Sequence, residues 1–330
     1  MPTNLPPKYF DVEKKLKTAV EPEEKVKIME ELISIIPKHK GTEKLLALYK
    51  TKIAKMRSAA QKKAATAKHG AGHNVKKTGS GQVVLVGPPN TGKSLLVKAL
   101  TDIDMQVGEY PFTTHEACPA MMKYKDIQIQ LVDTPPITPD FMEIWYPDLI
   151  KGCDGVIILL DPCGMDPVDR LLALLDRLRQ KKIEFVMDES PAVSQGGWVY
   201  KKALMVANKR DLPDCTENLG IVKELLDTDF HWIPVSAATG EGLEELKTHI
   251  YSMLGIIRVY SKIPGKKADM NDPFTLPKGS TVMDMARTVH KDFSDKMAFA
   301  RIWGKTSYDG QRVNRDHVLE EEDIIELHKG

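Results

Sequence analysis

Apolar residues along the chain follow three different rhythms. In the first part they recur at helical spacing. Val26, Met29, Leu32, Ile33 and Ile36 form one stripe, and Leu45, Leu48, Tyr49, Ile53 and Met56 form a second. Residues 37–41 separate the two stripes, and Thr42 can cap the second helix. Residues 1–63 are therefore expected to fold as an antiparallel helical hairpin, its first arm over 8–36. From residue 82 the rhythm changes to short apolar runs alternating with amphipathic stretches. Runs at 82–87, 127–132, 155–160, 183–187, 203–208 and 230–235 read as buried, mostly parallel strands. Helices are expected after the first run and at about 140–151, 166–181, 216–227 and 241–254. This pattern predicts an α/β sheet with helices on both faces over residues 82–255. Residues 256–330 change again: strands at 256–260 and 274–276, a helix capped by Ser280 or Thr281 and ending near His290, then strands near 298–303 and 323–328. That order predicts a small α+β domain.

Composition narrows the setting. No wholly apolar run, such as the one at 156–160, approaches the length that spans a bilayer. The N-terminus lacks a charged-then-apolar signal pattern, so no membrane partner and a cytoplasmic location are expected. Cys118, Cys153, Cys163 and Cys215 show no zinc-type spacing and read as reduced thiols. Charge is distributed unevenly. Residues 1–81 hold 18 Lys and Arg against 8 Asp and Glu, whereas residues 82–255 hold 16 against 26. No acidic residue occurs between Glu43 and Asp102. A basic arm on an acidic body points to a polyanionic partner, with RNA as the candidate, against the plainer reading of a solvated helix face. Residues 64–81, rich in Ala, Gly, Lys and His, read as a flexible basic linker.

The candidate chemistry begins at Gly87-Pro88-Pro89-Asn90-Thr91-Gly92-Lys93-Ser94, between an apolar strand pattern and the helix-like residues 95–100. The spacing G-x-x-x-x-G-K-S in that context is a phosphate-binding loop. Phosphate needs several converging donors, and a turn leading into a helix supplies unpaired N–H groups and the positive end of the helix dipole. Pro88 and Pro89 have no N–H, but the amides from Asn90 to Leu95 remain. Gly87, Asn90, Thr91, Gly92, Lys93, Ser94 and Leu95 are thus the phosphate candidates, with Lys93 reaching the outer phosphates. The Ser94 hydroxyl can take one position on Mg²⁺, and Asp133, ending the strand at 127–132, can hold the same ion directly or through water.

Asn208-Lys209-Arg210-Asp211 ends another strand. Asp211 offers two acceptor oxygens to the N1–H and N2–H₂ edge of guanine, which adenine cannot match. Lys209 can lay its stem along the base. Ser236-Ala237-Ala238 follows the strand at 230–235, and its backbone N–H groups can reach the guanine carbonyl. Each string is weak alone; in this order, each at a strand end, they read as a GTP/GDP site.

These motifs resemble the translation-factor-like GTPases, and more narrowly the Obg branch. Tyr110-Pro111-Phe112-Thr113-Thr114 looks like that branch's first switch, which implies Thr114 (with Thr113 as the alternative) as a residue closing on Mg²⁺ and γ-phosphate. Lys93 and Thr114 are accordingly the catalytic candidates. The resemblance is closest to the developmentally regulated GTP-binding (DRG) proteins. It rests on Gly41-Thr42-Glu43-Lys44-Leu45-Leu46-Ala47-Leu48 and on Val75-Lys76-Lys77-Thr78-Gly79. It also rests on Leu276-Pro277-Lys278-Gly279-Ser280-Thr281-Val282, Trp303-Gly304, Arg312-Val313 and Asp316-His317-Val318-Leu319-Glu320. It implies a P-loop GTPase sheet preceded by a helical hairpin and followed by a ubiquitin-like TGS domain of β-grasp type. It also implies GTP hydrolysis, a ribosome or RNA partner reached through the basic N-terminal region and the TGS domain, and a protein activator. That family's domain inserted in the GTPase fold is expected to be missing, because only 75 positions (208 − 133) separate Asp133 from Asn208.

One departure bears on the activity. The family's second switch reads D-x-P-G, and here it is Asp133-Thr134-Pro135-Pro136. Pro136 has no N–H to offer γ-phosphate, and Ile137 stands where Ras-like GTPases carry a water-orienting Gln. An adaptor that binds GDP and GTP with little hydrolysis is therefore the alternative reading; an ATPase is disfavoured by Asp211. Asn90 occupies the position used by GTPases that recruit K⁺, so K⁺ is a second candidate cation, against the plainer reading of an Asn chosen for turn geometry. His115 as a base and residues 282–285 as a Met-lined groove are weaker readings than a loop His and core filling.

Overall fold

The computed structural model describes residues 28, 29, 32, 33 and 35, and then 75–101, 116–186, 195–226, 230–289, 297–305 and 307–329. The chain divides into two compact units, Met1–Gly72 and His73–Gly330. In the first, all five described residues are helical, and Ile28, Met29 and Leu32 are buried. The rest of the expected hairpin, residues 64–74, Thr113, Thr114 and His115 lie outside the described residues.

The second unit contains two sheets. The larger is built from β1 (Gln82–Val86), β2 (Cys118–Tyr124), β3 (Ile127–Asp133), β4 (Gly155–Leu160), β5 (Ile183–Val186), β6 (Val199–Ala207) and β7 (Trp232–Pro234). Its order is β2-β3-β1-β4-β6-β5, with β7 also paired to β6. Every pairing is parallel except β2 with β3. All residues of β1 and β4 are buried, which is why they read as unbroken apolar runs. Five helices cover the sheet: α1 (Lys93–Thr101), α2 (Tyr146–Gly152), α3 (Pro167–Arg179), α4 (Cys215–Leu226) and α5 (Leu243–Leu254). Leu96, Leu100, Leu246 and Ile250 of α1 and α5 pack on one face. Ile150, Leu171, Leu178 and Leu219 of α2, α3 and α4 pack on the other. The P-loop GTPase sheet with helices on both faces is thus observed.

Several local expectations change. β2 was not anticipated: it opens Cys-Pro-Ala, alternates in burial and lies at an edge, where Pro is tolerated and apolar content is low. The helix expected from residue 140 starts at Tyr146, with Pro147 in its first turn. β6 starts at Val199, because residues 199–202 pair with β5. The end of the expected linker is pinned, since Ser80 donates to the Gln128 carbonyl at 2.8 Å and Gln130 donates to that of Gly81 at 2.9 Å.

The smaller sheet comprises β8 (Ile256–Ser261), β9 (Phe274–Pro277), β10 (Met297–Gly304), β11 (Ser307–Val313) and β12 (Ile324–Lys329), in the order β11-β10-β12-β8-β9. One helix, α6 (Val282–Val289), buries Val282, Met285 and Ala286 against Ala300, Ile302, Val313, Ile325 and Leu327. Met285 is core filling, as its spacing suggested. Thr281, rather than Ser280, organises the helix start: its N–H donates to the Asp284 carboxylate at 2.8 Å. β11 was missed because Ser-Tyr-Asp-Gly-Gln-Arg-Val is polar and forms an edge.

The two sheets are joined without a linker. Gly255 ends α5 in the left-handed conformation (φ 61°), and β8 begins at the next residue. Across the junction Arg258, buried on β8, bonds Asp126 in the β2–β3 turn, Glu321 at 2.7 Å and Glu322 at 2.7 Å. Tyr251 of α5 adds a 2.6 Å bond to Glu321. No helix among the described residues is long and apolar enough to cross a membrane.

Candidate functional site

The phosphate loop lies between β1 and α1, so its residues leave the carboxyl end of a central buried strand and enter a helix N-terminus. Gly92 has φ 89°, and a Cβ there would lie 2.4 Å from Asn208 Nδ2, so both torsion and space demand glycine. Asn90 is also left-handed (φ 62°), a conformation its short amide tolerates. That supports a turn-forming role for Asn90 without opposing the K⁺ role. Lys93 is buried, and its Nζ donates to the carbonyls of Gly87 and Pro88, each at 3.0 Å. Burial pushes the Lys93 ammonium down to about 8, against the upward pull of Asp133. Leu95 is half-buried in the first turn of α1.

Ser94 Oγ donates to Asp133 Oδ2 at 2.5 Å. A hydroxyl and a carboxylate from two elements therefore meet beside Lys93, as the sequence predicted for a shared ion. After Asp133 the chain is held tightly: Thr134 Oγ1 donates to the Leu85 carbonyl at 2.5 Å and also meets the Tyr146 hydroxyl. Pro135, Pro136 and Ile137 are buried. The Ile137 N–H is spent on the Gly87 carbonyl at 3.4 Å, and its side chain packs in the core.

The base end is organised by Asn208. Its Nδ2 donates to the Thr91 carbonyl at 2.8 Å, and its Oδ1 accepts the Ala237 N–H at 3.0 Å. Ser236 is fully buried and its hydroxyl donates to Asp211 Oδ1 at 2.5 Å, fixing the exposed carboxylate of Asp211. The Ser236 N–H is bonded to Glu241, so within Ser236-Ala237-Ala238 the amide left open among the described residues is that of Ala238. Lys209 is left-handed (φ 66°), and its Nζ pairs with Asp161 Oδ2 at 2.7 Å.

The structure thus gathers Gly87, Asn90, Thr91, Gly92, Lys93, Ser94, Leu95, Asp133, Asn208, Lys209, Asp211, Ser236, Ala237 and Ala238 at the carboxyl ends of the strands of the large sheet. Thr114 lies outside the described residues. Sequence reasoning missed two residues. Asp161, at the end of β4, positions Lys209 and accepts the Cys163 N–H at 3.0 Å. Thr134 ties the second switch to β1. A carboxylate immediately after a buried strand was the available signal for Asp161. A cavity of about 210 Å³ adjoins the loop, lined by Pro89, Asn90, Asp161 and Arg170.

Comparison with known proteins agrees with this geometry. Residues 82–189 match the family of 50S ribosome-binding GTPases, and residues 257–329 match the TGS domain. An uncharacterised GTP-binding protein of Methanocaldococcus jannaschii is 33% identical over 363 positions, covering 92% of this chain and 92% of that protein. The alignment is longer than this chain, so at least 33 positions (363 − 330) of that relative have no counterpart here. Developmentally regulated G-protein 3 of Arabidopsis thaliana is 27% identical, covering 93% of this chain and 98% of that protein. A homologue of developmentally regulated GTP-binding protein 2 in Dictyostelium discoideum is 26% identical, with coverages of 93% and 99%. The two family matches, with similarity running along nearly the whole length of these relatives, make this chain a GTP-binding protein of the P-loop type and a member of the developmentally regulated GTP-binding family.

Proposed function

We propose that the chain is a Mg²⁺-dependent, cytoplasmic GTPase that hydrolyses GTP to GDP and phosphate while engaged with RNA, the ribosome being the leading setting. In this reading residues 1–63 are a basic helical hairpin, 64–81 a linker, 82–255 the GTP-binding domain and 256–330 the TGS domain. The observation that carries it is the pair of hydrogen bonds that Asn208 makes with Thr91 and Ala237, which supports a fixed separation of phosphate and base contacts.

At the phosphate end, Lys93 and the amides of Asn90 to Leu95 face the charge that develops on the transferred group. Ser94 and Asp133, with Thr114 arriving from the first switch, supply hard oxygen donors. One carboxylate beside a hydroxyl suits an ion that takes its remaining ligands from phosphate and water. Ser94, Asp133 and Thr114 would hold Mg²⁺, which would supply positive charge against the phosphates. Asn90 is assigned to K⁺ beside the same phosphates. At the other end Asp211, braced by Ser236, accepts from the guanine edge, and Lys209, braced by Asp161, covers the ring. The RNA partner is supported by the excess of 18 basic over 8 acidic residues in 1–81, and a protein activator belongs to the same reading.

A specific observation favours a second reading, a nucleotide-gated adaptor that scarcely hydrolyses. Pro136 has no N–H for γ-phosphate, and the Ile137 N–H is already bonded to Gly87. Single-turnover phosphate release in K⁺ and in Na⁺, each with and without ribosomes, decides between them. Release that is faster in K⁺ supports the GTPase with its second cation, and equal rates remove Asn90 from that role. No release under any condition leaves the adaptor.

A further inference from the structure

Residues 134–141 follow β3 and are fastened to β1, the phosphate loop, α2 and α3. Thr134 is fully buried, and its single hydroxyl proton goes to the Leu85 carbonyl of β1 at 2.5 Å. The Tyr146 hydroxyl meets the same Thr134 oxygen, so Tyr146, the first residue of α2, is the donor in that bond. Tyr146 is itself fully buried, and its ring stacks on that of Trp145 with centres 5.4 Å apart. A line of two hydroxyls thus rivets the residue after Asp133 to the centre of the large sheet.

The next residues are held as firmly. Pro135 and Pro136 have fixed φ and no N–H. Ile137 donates its N–H to the Gly87 carbonyl at 3.4 Å and buries its side chain in the same core as Val86, Ala117 and Tyr146. Thr138 closes a turn, donating its N–H to the Phe141 carbonyl at 3.0 Å and accepting the Phe141 N–H on its hydroxyl at 3.0 Å. Arg177 of α3 bonds the Pro139 carbonyl and reaches that of Asp140 at 3.3 Å.

A ligand shifts a segment between two arrangements only by the difference in its affinity for them. Leaving the observed arrangement breaks two buried hydroxyl bonds and the Ile137 N–H bond, and it draws Ile137 out of the core. Each bond broken strands a buried donor or acceptor. An N–H at position 136 would offset part of that loss by bonding phosphate, and Pro136 has none.

We infer that Tyr146 is a positioning residue: acting through Thr134, it keeps residues 134–137 in one arrangement with GDP and with GTP alike. The second switch is then a fixed wall of the nucleotide site, and the contacts that tell the two nucleotides apart lie elsewhere in that site. This rests on the GTP-binding reading and deepens it, since it removes one of the two segments through which γ-phosphate could be sensed.

The test is amide hydrogen exchange read by mass spectrometry on the full chain, with Mg²⁺ and either GDP or a non-hydrolysable GTP analogue. The proteins compared are the parent, Tyr146→Phe, Thr134→Val, Thr134→Ser and Tyr146→Phe/Pro136→Gly. In the parent, exchange at Ile137 should agree within about threefold between the two complexes. Tyr146→Phe and Thr134→Val should speed it at least about tenfold in both, the equivalent of one lost hydrogen bond. Thr134→Ser keeps the hydroxyl and should exchange like the parent. Tyr146→Phe/Pro136→Gly frees the segment and restores a donor, so exchange at Ile137 should become at least about fivefold slower with the analogue than with GDP. A general loss of stability would not create that dependence on nucleotide. Unchanged exchange in β4 verifies the fold of each variant; if Tyr146→Phe disturbs β4, the contrast of Thr134→Val with Thr134→Ser decides. The inference is wrong if exchange at Ile137 in the parent differs more than about threefold between the nucleotides. It is equally wrong if the variants without the hydroxyl bond exchange like the parent, or if the double variant shows no dependence on nucleotide. If neither nucleotide protects the amides of Asn90 to Leu95, the GTP-binding reading fails and this inference falls with it.

Discussion

Asn208 holds the Thr91 carbonyl at 2.8 Å, so one amide splices the phosphate loop to the end of β6. The same side chain accepts the Ala237 N–H, and it is 1% exposed. Asn208→Ala orphans a buried carbonyl and a buried N–H together. A loss of about 2–4 kcal/mol is expected, at roughly 1–2 kcal/mol per stranded group. Thermal unfolding would show it as a fall of roughly 5–10 °C. Guanine and phosphate affinity should drop together, and loss of only one would mean that the splice is not what aligns them.

Asp211 stands at the surface with one oxygen braced by Ser236. Asp211→Asn should weaken GDP binding by roughly 10²- to 10⁴-fold, from one or two lost charge-assisted hydrogen bonds. Xanthosine diphosphate, with a carbonyl where guanine has an amine, should bind the variant better than it binds the parent. Ser236→Ala should produce a smaller loss in the same direction. Competition titrations of the two nucleotides read both effects.

Lys93 has its ammonium lowered to about 8 by burial. Its folded value lies below the unfolded one, so between about pH 8 and about pH 10.4 the unfolded chain holds the extra proton. Stability of the nucleotide-free protein should therefore rise with pH across that window and be flat below it. Phosphate favours the protonated form, so nucleotide binding at pH 9 should take up protons. Calorimetry in buffers of different ionisation enthalpy measures the uptake. Lys93→Arg does not titrate there and should remove the Lys93 share of it.

In the proposed reading γ-phosphate arrives beside Pro136, which has no N–H to donate. Pro136→Gly should raise single-turnover hydrolysis by roughly 10- to 100-fold, somewhat below the full value of an oxyanion-type donor. Preference for a GTP analogue over GDP should increase as well. An unchanged rate and an unchanged preference would assign the missing donor no role.

Arg258 binds carboxylates from both sheets while only 3% exposed. Arg258→Ala should cost about 3–5 kcal/mol, mostly from leaving carboxylates crowded without their cation. Calorimetric melting should then split into two transitions. Burial pushes Asp126 and Glu321 upward, but hydrogen bonds from Tyr260 to Asp126, from Tyr251 to Glu321 and from Arg258 to both hold them below their usual range. A bond from Lys305 does the same for Glu322. Their contribution is therefore complete above about pH 4.5 and is lost as pH falls through the lower folded values. The parent should resist separation of the two sheets to more acidic pH than Arg258→Lys does.

Much of the fold was legible because buried parallel strands write continuous apolar runs. Residues 155–160 are the clearest instance, predicted and observed with the same bounds. Edge strands left no such mark: β2 alternates and carries Pro119, and β11 is mostly polar, with Val313 alone among its described side chains entering the core. The candidate site was legible for a different reason. Phosphate and guanine each demand particular donors at strand ends, which leaves short, ordered strings at Gly87, Asn208 and Ser236. Asp161 and Thr134 left none, because each acts on a neighbour: one holds Lys209 and the other anchors to Leu85. Support of that kind depends on which elements the topology places side by side, and β1, β4 and β6 become neighbours only in the folded sheet. The stack of Arg312, Phe299 and His328 in the smaller sheet was likewise invisible, since it needs three strands in register.

The junction at Gly255 sets how the two sheets can move. With α5 running into β8 through a single residue and Arg258 fastened on the far side, there is no slack to take up a swing. The smaller sheet is bolted to the hairpin whose second strand ends at Asp133. Any rotation between them has to pass through one glycine's torsions and break the guanidinium's bonds, so the pair behaves as a locked joint rather than as beads on a string.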